Sequence, residues 1–325
     1  MPIAISGTTG ITLAGQFDSA STFGFRNRII NGAMQIAQRA TSATITAGST
    51  IAAGYSTVDR FYVYCTGANV TAAQVAGSGA IKNNLEITGG ASVTAIGVGQ
   101  RIEQLNSYDM AGSNATLSVN LSNSLLTTVT WTAYYATTAD TFGTLASPTR
   151  TQIATGTFTV TSTLTNYSTQ ISIPAAATTG IEVVFTVGAQ TSGTWVIGNV
   201  QLEESSVATS FDYRPYGTEF ALAQRYAQPC GQGGTGRASS STGLETTTQF
   251  RVPMRATPSI TFGGFSGAQT EISQFGVGSV TVSAVSTSGF ASTTGSYLSY
   301  TTTGATPTSF CACIKGDTSF ASAEL

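Results

Sequence analysis

Apolar and polar residues alternate along most of this chain. "TLSVNLS" sets Leu117, Val119 and Leu121 against Ser118, Asn120 and Ser122, and "TVTWTAYY" does the same with Val129, Trp131, Ala133 and Tyr135. "GTFTVTSTL" places Phe158, Val160 and Leu164 opposite a row of threonines, and "IEVVFTV" aligns Ile181, Val183, Phe185 and Val187. A period of two with β-branched residues and one polar face predicts antiparallel sheet. Turn segments such as "TGGAS", "DMAGSN" and "AQTSGT" recur between these runs. Their frequency favours an all-β antiparallel jelly-roll sandwich over alternating strands and helices.

One stretch departs from that pattern. "GTEFALAQRYAQP" reads as a helix, with Thr218 as N-cap, Glu219 in the first turn and Pro229 preventing continuation. Phe220, Ala223 and Ala227 form one stripe on it, and Leu222 and Tyr226 another. A helix this short is marginal alone in water, so it must pack on something, and a spacer between domains is the expected role. A Gly/Ser-rich run, "CGQGGTGRASSSTG", follows it. Further strands come next: "TTQFRVPM", "PSITFGG", "SVTVSAV", "SYLSYTTT" and "SFCACIKG". The expected organisation is a short peptide over 1–26, a jelly roll over 27–216, a linking helix over 217–229 and a smaller β-domain over 230–325.

Composition narrows the function classes. Charged residues are 9% of the 325, against roughly 25% in ordinary soluble proteins, and Thr, Ser, Gly and Asn take their place. A net charge of −2 with only Lys82 and Lys315 as lysines leaves no basic face for nucleic acid. No apolar run approaches the roughly 18 residues of a membrane span, and "MPIAISGTTG" lacks the basic start of a signal peptide. Cys65, Cys230, Cys311 and Cys313 have no metal-binding spacing and are expected as buried or free thiols. The absence of histidine removes most general-base and triad chemistry. "GQGGTG" spells a dinucleotide fingerprint, but it follows a helix and a proline instead of a strand. The acidic residues form no pair suited to glycoside hydrolysis, and no fixed repeat suggests a β-helix.

Longer motifs carry a resemblance. "FRNRIINGAMQIAQR", "YSTVDRFYVY", "VIGNVQLEESSVATSFDYRPYGTEFALAQRY" and the terminal "ASAEL" resemble bacteriophage tail-fibre and related virion appendage proteins. The resemblance covers about residues 24 to 228 and implies a carbohydrate-binding-module-like jelly roll. It further implies that "TWVIGNVQLEE" lies beside "RIINGAMQI" as the closing strand. "FRVPMRATPSIT" is similar to a strand of small receptor-facing phage domains. Such a protein is a non-enzymatic virion component that attaches to host-surface polysaccharide. A capsid-surface decoration protein and a polysaccharide-degrading tail enzyme are the alternatives. Related jelly rolls often hold a structural calcium through acidic residues; Ala33 follows the Asn-Gly where an acidic residue is common, which argues against calcium here, and no other cofactor is expected.

Two partner expectations follow. Sheet edges so poor in charge lack the usual guards against edge pairing, which a homotrimer interface would cover. Residues 1–26, rich in Gly, Ser and Thr, would lie on another virion protein. Ligand contact is expected in the C-terminal domain, where sugar rings can stack their C–H faces on aromatics. The candidates are Phe290 and Tyr297 in "SGFASTTGSYLSYTTTG". Alternation puts Leu298 and Tyr300 on the face opposite Tyr297, and Phe265 lies in a Gly-rich turn.

Overall fold

The computed structural model describes residues 4–6, 10–12, 25–48, 54–79, 81–230, 236–240, 242–262, 271–274, 277–303, 312–315 and 319–325. Phe265, Cys311 and most of the "GQGGTG" run therefore lie outside the described residues. Two compact units are present, Met1–Tyr216 with Leu325, and Gly217–Glu324.

The first unit is built of strands. In chain order they are β1 (Ala4–Ser6), β2 (Gly10–Thr12), β3 (Ser42–Ile45), β4 (Tyr62–Thr66) and β5 (Val70–Ala76). Next come β6 (Asn83–Thr88), β7 (Ala95–Ile102), β8 (Asn114–Asn123) and β9 (Thr128–Ala136). Last are β10 (Arg150–Thr159), β11 (Thr165–Ser172), β12 (Ile181–Val187) and β13 (Thr194–Glu203). β1 and β2 pair with each other. The others form a five-stranded sheet, β10-β9-β12-β7-β4, and a six-stranded sheet, β11-β8-β13-β6-β5-β3. Every pairing is antiparallel, and successive strands such as β8 and β9 fall in different sheets, which gives the jelly-roll sandwich.

The alternation read from the sequence supplies the core. Leu117, Val119 and Leu121 of β8 meet Val129, Trp131 and Ala133 of β9 and Ile181, Val183 and Phe185 of β12 in one buried cluster. Each valine, leucine, isoleucine or phenylalanine among them contributes about 1.5–3 kcal/mol on burial. The other face of β8 differs from expectation: Ser118, Asn120 and Ser122 are buried too. β8 is an interior strand, and local partners satisfy its polar groups. Thr116 Oγ1 donates to the Ser205 carbonyl (2.8 Å), and Asn166 Nδ2 donates to Asn120 Oδ1 (2.8 Å).

The closing contact also takes another form. β13 is flanked by β8 and β6, and residues 25–37 are turn and extended chain, not a strand. The two segments still meet, because Arg28 N–H donates to the Leu202 carbonyl (2.8 Å) and Val200 N–H to that of Gly32 (3.0 Å). Strand geometry fails because Asn31 and Met34 adopt φ of +61° and +56°. Asn31 tolerates this by folding its amide into the turn, where its Nδ2 donates to the Ile36 and Asp59 carbonyls and its Oδ1 accepts from Ile36 N–H.

The helix α1 (Tyr216–Gln224) leads into the second unit. Strands β14 (Ala227–Pro229), β15 (Gly236–Ser240), β16 (Gly243–Gln249), β17 (Ser259–Thr261) and β18 (Glu271–Gln274) follow. β19 (Val277–Ala291), β20 (Gly295–Thr303), β21 (Ala312–Lys315) and β22 (Phe320–Ser322) complete it. They make a three-stranded sheet, β14-β22-β17, and a six-stranded sheet, β15-β16-β20-β19-β18-β21.

The expected linking helix over 217–229 is corrected at both ends. It starts at Tyr216, directly after Pro215, so Thr218 lies inside it and is not the cap. It ends at Gln224, because Tyr226 N–H bonds the Ala223 carbonyl (3.0 Å) in a tightened last turn. Ala227–Pro229 then pairs with Phe320–Ser322 as a strand, and Pro229 takes an edge position where its missing N–H costs no ladder bond. The buried helix face is Glu219, Ala223 and Gln224, whereas Phe220 and Leu222 are half-buried.

Gln228, fully buried, organises the second unit's small core of Cys230, Phe250, Met254, Ala321 and Ala323. Its Nε2 donates to the Gln224 and Val252 carbonyls, and its Oε1 accepts from Arg251 N–H at 2.8 Å. Cys65 and Cys230 are buried and not joined by a disulfide, and burial pushes the Cys65 thiol up.

Candidate functional site

An exposed aromatic residue with polar neighbours lies where β16 and β20 meet. Alternation along β20 buries Ser296, Leu298 and Tyr300 and turns Tyr297 outward, 45% exposed. Tyr297 pairs in register with Thr247 of β16, and Gly295 with Gln249. Glycine leaves no side chain beside the ring at that second pair. A Cβ at Gly295 would come within 2.6 Å of the Thr248 carbonyl, so the position also needs glycine for close strand approach.

The outcome is a cleft of about 420 Å³ lined by Thr247, Gln249, Phe250, Ser292, Thr294 and Tyr297, among others. Its rim is held firmly. Ser292 Oγ accepts from the Thr294 and Gly295 N–H groups, both at 3.2 Å, while Phe250 N–H bonds the Thr294 carbonyl (3.0 Å) and Met254 N–H the Thr293 carbonyl (2.7 Å). An aromatic face beside hydroxyl and amide groups can take a small polar ring, apolar side against Tyr297 and polar edge toward Thr247, Gln249 and Ser292. Phe290 falls near the end of β19, one residue before Ala291, which pairs with Ser296. Its side chain lies outside the described ones. Thr247 and Gln249 went unnoticed in the sequence, because strand pairing, not proximity in the chain, brings them to Tyr297.

A second concentration of aromatic and charged groups covers the outer face of the five-stranded sheet. Glu182 on β12 stands opposite Arg101 on β7 and Tyr134 on β9. Arg101 Nε donates to Glu182 Oε1 (2.7 Å), Tyr62 Oη donates to the same oxygen (2.9 Å), and Arg150 Nη1 bonds Oε2. Arg101 lies 5.4 Å from the Phe142 ring centroid and 5.6 Å from that of Tyr62, and Arg150 lies 4.0 Å from that of Tyr134. Tyr55 and Arg101 also donate to the main-chain oxygen of Leu325, which belongs to the same unit. Burial, then the neighbouring Glu182 charge, hold the Tyr62 phenol well above the usual tyrosine range, so it stays protonated and donates. Tyr62 and Glu182 are wholly buried, and the carboxylate is fully engaged. This cluster ties strands together and does not present groups to a ligand.

The motif residues that carry the resemblance are structural as well. Asp59 accepts from Gln38 N–H (3.1 Å) and Nε2 (2.6 Å) and pairs with Arg39 at 3.8 Å. Arg60, with φ of +73°, donates to the Arg101 carbonyl at 2.6 Å. Glu203 binds Thr209 through both N–H (2.9 Å) and Oγ1 (2.6 Å), and Gln201 Oε1 accepts from Asp212 N–H at 2.8 Å. Asp212 in turn accepts from Arg26 N–H at 2.8 Å, and Arg214 donates to the Asn27 and Ile29 carbonyls. The opening and closing motifs are thus two halves of one clasp. Among the described residues, no group of three or more His, Cys, Asp or Glu is placed to hold a metal ion. No helix among them is long and apolar enough to cross a membrane.

No family model matches this chain, and no curated protein matches it either. Solved structures do show similarity over about half of it. One is the enzymatically active domain of tailspike protein 4 from bacteriophage CBA120, at 16% identity over 55% of this chain and 21% of that one, with a TM-score of 0.33. A carbohydrate-binding module, CBM4, is 14% identical over 54% of this chain and 98% of its own, with a TM-score of 0.35. The family 11 carbohydrate-binding module of the Clostridium thermocellum cellulase Lic26A-Cel5E is 12% identical over 51% and 99%, with a TM-score of 0.32. The chain thus spans about a fifth of the tailspike domain's length. At such identities and scores, no ligand or activity passes from these proteins to this one.

Proposed function

We propose that this protein is a structural virion component, a tail-fibre-like appendage, that attaches to host-surface glycans through its second unit. The observation that carries this reading is the cleft at Tyr297, which sets an exposed ring beside hydroxyl and amide groups on a firmly held rim. The sequence resemblance of the clasp motifs to phage appendage proteins supports the virion role. In this reading the first unit is structural, and catalysis has no part in the role. Capsid decoration and polysaccharide degradation are the competing roles.

The test is binding of the full chain to host cells, comparing the natural protein with Tyr297→Ala. Loss of one stacked ring is expected to weaken attachment roughly tenfold, equivalent to about 1.4 kcal/mol. Circular dichroism must first show that the variant folds. Equal binding by both proteins would remove the cleft from the reading, and release of reducing sugar from host polysaccharide would favour the enzyme instead.

Assembly is a second expectation. We propose a homotrimer whose residues 1–26 lie on another virion protein. Light scattering of the 33.2 kDa chain at micromolar concentration should return three times that mass. Deleting residues 1–26 should leave cell binding intact and prevent incorporation into particles. A monomer mass sinks the trimer, and normal incorporation of the truncated chain sinks the anchor.

A further inference from the structure

We infer that the Tyr297 cleft selects uncharged saccharides and discriminates against acidic ones. This rests on the glycan-attachment reading above and adds the chemical class of the ligand. Among the described residues, the lining of the cleft consists of threonines, serines, Gln249, Gly295, Phe250 and Tyr297, without a lysine, arginine, aspartate or glutamate.

A carboxylate, sulfate or phosphate on a ligand would leave water for a site offering only neutral dipoles. Burying an ion without a cation or several aimed donors costs far more than burying a hydroxyl that finds a partner. The cleft's donors are also partly committed. The Gly295 and Thr294 N–H groups already point at Ser292 Oγ, so they do not form an anion-binding nest. Gln249 and the exposed Thr247 remain as groups that can both donate and accept, the pairing a sugar hydroxyl requires.

Along the same face of β16, the next position beyond Thr247 is Glu245. That position carries a carboxylate and not a cation. Gly295 sets the shape. Its bare backbone lets β16 approach closely, since a Cβ there would meet the Thr248 carbonyl at 2.6 Å, and this approach sets Thr247 and Gln249 beside the Tyr297 strand.

The experiment uses the full chain and two immobilised sets of bacterial oligosaccharides, one of neutral hexoses and one bearing uronic acid, sialic acid or phosphate. Binding is measured for the natural protein and Tyr297→Ala at about 0.05 and 0.5 M salt. The expected result is retention on members of the neutral set only, changing less than about twofold with salt and falling roughly tenfold in the variant. Tyr297-dependent binding to the acidic set, weakened by salt, overturns the selectivity while leaving the glycan-attachment reading in place. No binding to either set overturns both. Neutral binding that Tyr297→Ala does not change places the sugar site elsewhere and overturns the inference at this cleft.

Discussion

Glu182→Gln is expected to cost the first unit about 3–5 kcal/mol of stability, the usual consequence of removing one partner from a buried ion pair. Glu182 is wholly buried, and its partners Arg101 and Arg150 keep only 5% and 11% of their side-chain surface exposed. Glutamine has nearly the same shape but no charge, so two guanidinium groups would remain in a poorly solvated site. Its amide group would also face donors, because Arg101 Nε, Arg150 Nη1 and the Tyr62 hydroxyl all point at the carboxylate. Arg101 has a further tie to the Gly143 carbonyl at 3.0 Å, which prevents it from swinging out to water. Denaturant melts of the full chain, followed by tryptophan fluorescence, would measure the change: Trp131 and Trp195 both belong to the first unit's core. A loss below about 1 kcal/mol would mean that the arginines reach solvent and that the cluster is not the tie described here.

That cluster was invisible in the sequence for a physical reason. Glu182, Arg101 and Tyr134 come from three strands, and only the register of β12 with β7 and β9 brings them into one row. The glycines beneath the tyrosines were equally silent. A Cβ at Gly97 would sit 2.1 Å from the Tyr64 ring and one at Gly99 2.3 Å from the Tyr62 hydroxyl, so both positions must be bare for the rings to lie flat on β7. What could be read was whatever depends on one strand alone. Alternation in "TLSVNLS", "TVTWTAYY" and "IEVVFTV" names core residues because a buried face imposes a period of two wherever the strand goes. The same logic placed Tyr297 and Tyr300 on opposite faces of β20 but could not supply Thr247 and Gln249, which arrive from β16. The helix was half legible. Ala227 fits the helical spacing as well as Ala223 does, yet pairing with Ser322 overrides it, and no local signal reports a partner so far along the chain.

Asn27→Ala is the other substitution expected to cost several kcal/mol, and it tests whether the opening motif is a structural clasp. Asn27 is 2% exposed, and its side chain serves three main-chain groups at once. Its Oδ1 accepts from the N–H groups of Ile29 (2.9 Å) and Leu202 (3.1 Å), while its Nδ2 donates to the Val200 carbonyl (3.0 Å). Of these partners, Val200 lies where β13 breaks register with β8, between Gly198 and Gln201. Alanine removes all three bonds together. Each buried group left unsatisfied costs about 1–3 kcal/mol, and even if water reaches one of them the other two still cost about 2–6 kcal/mol. Arg214→Ala acts on the same joint from the other side, through the Asn27 and Ile29 carbonyls. Because both side chains hold residues 27–29 against the end of the sandwich, the double variant should lose less than the sum of the two single losses. Thermal and denaturant melts of the four proteins in that cycle measure the coupling. Strict additivity would separate the two contacts, and a loss below about 1 kcal/mol for Asn27→Ala would show that the chain ends of the jelly roll are not held by this residue.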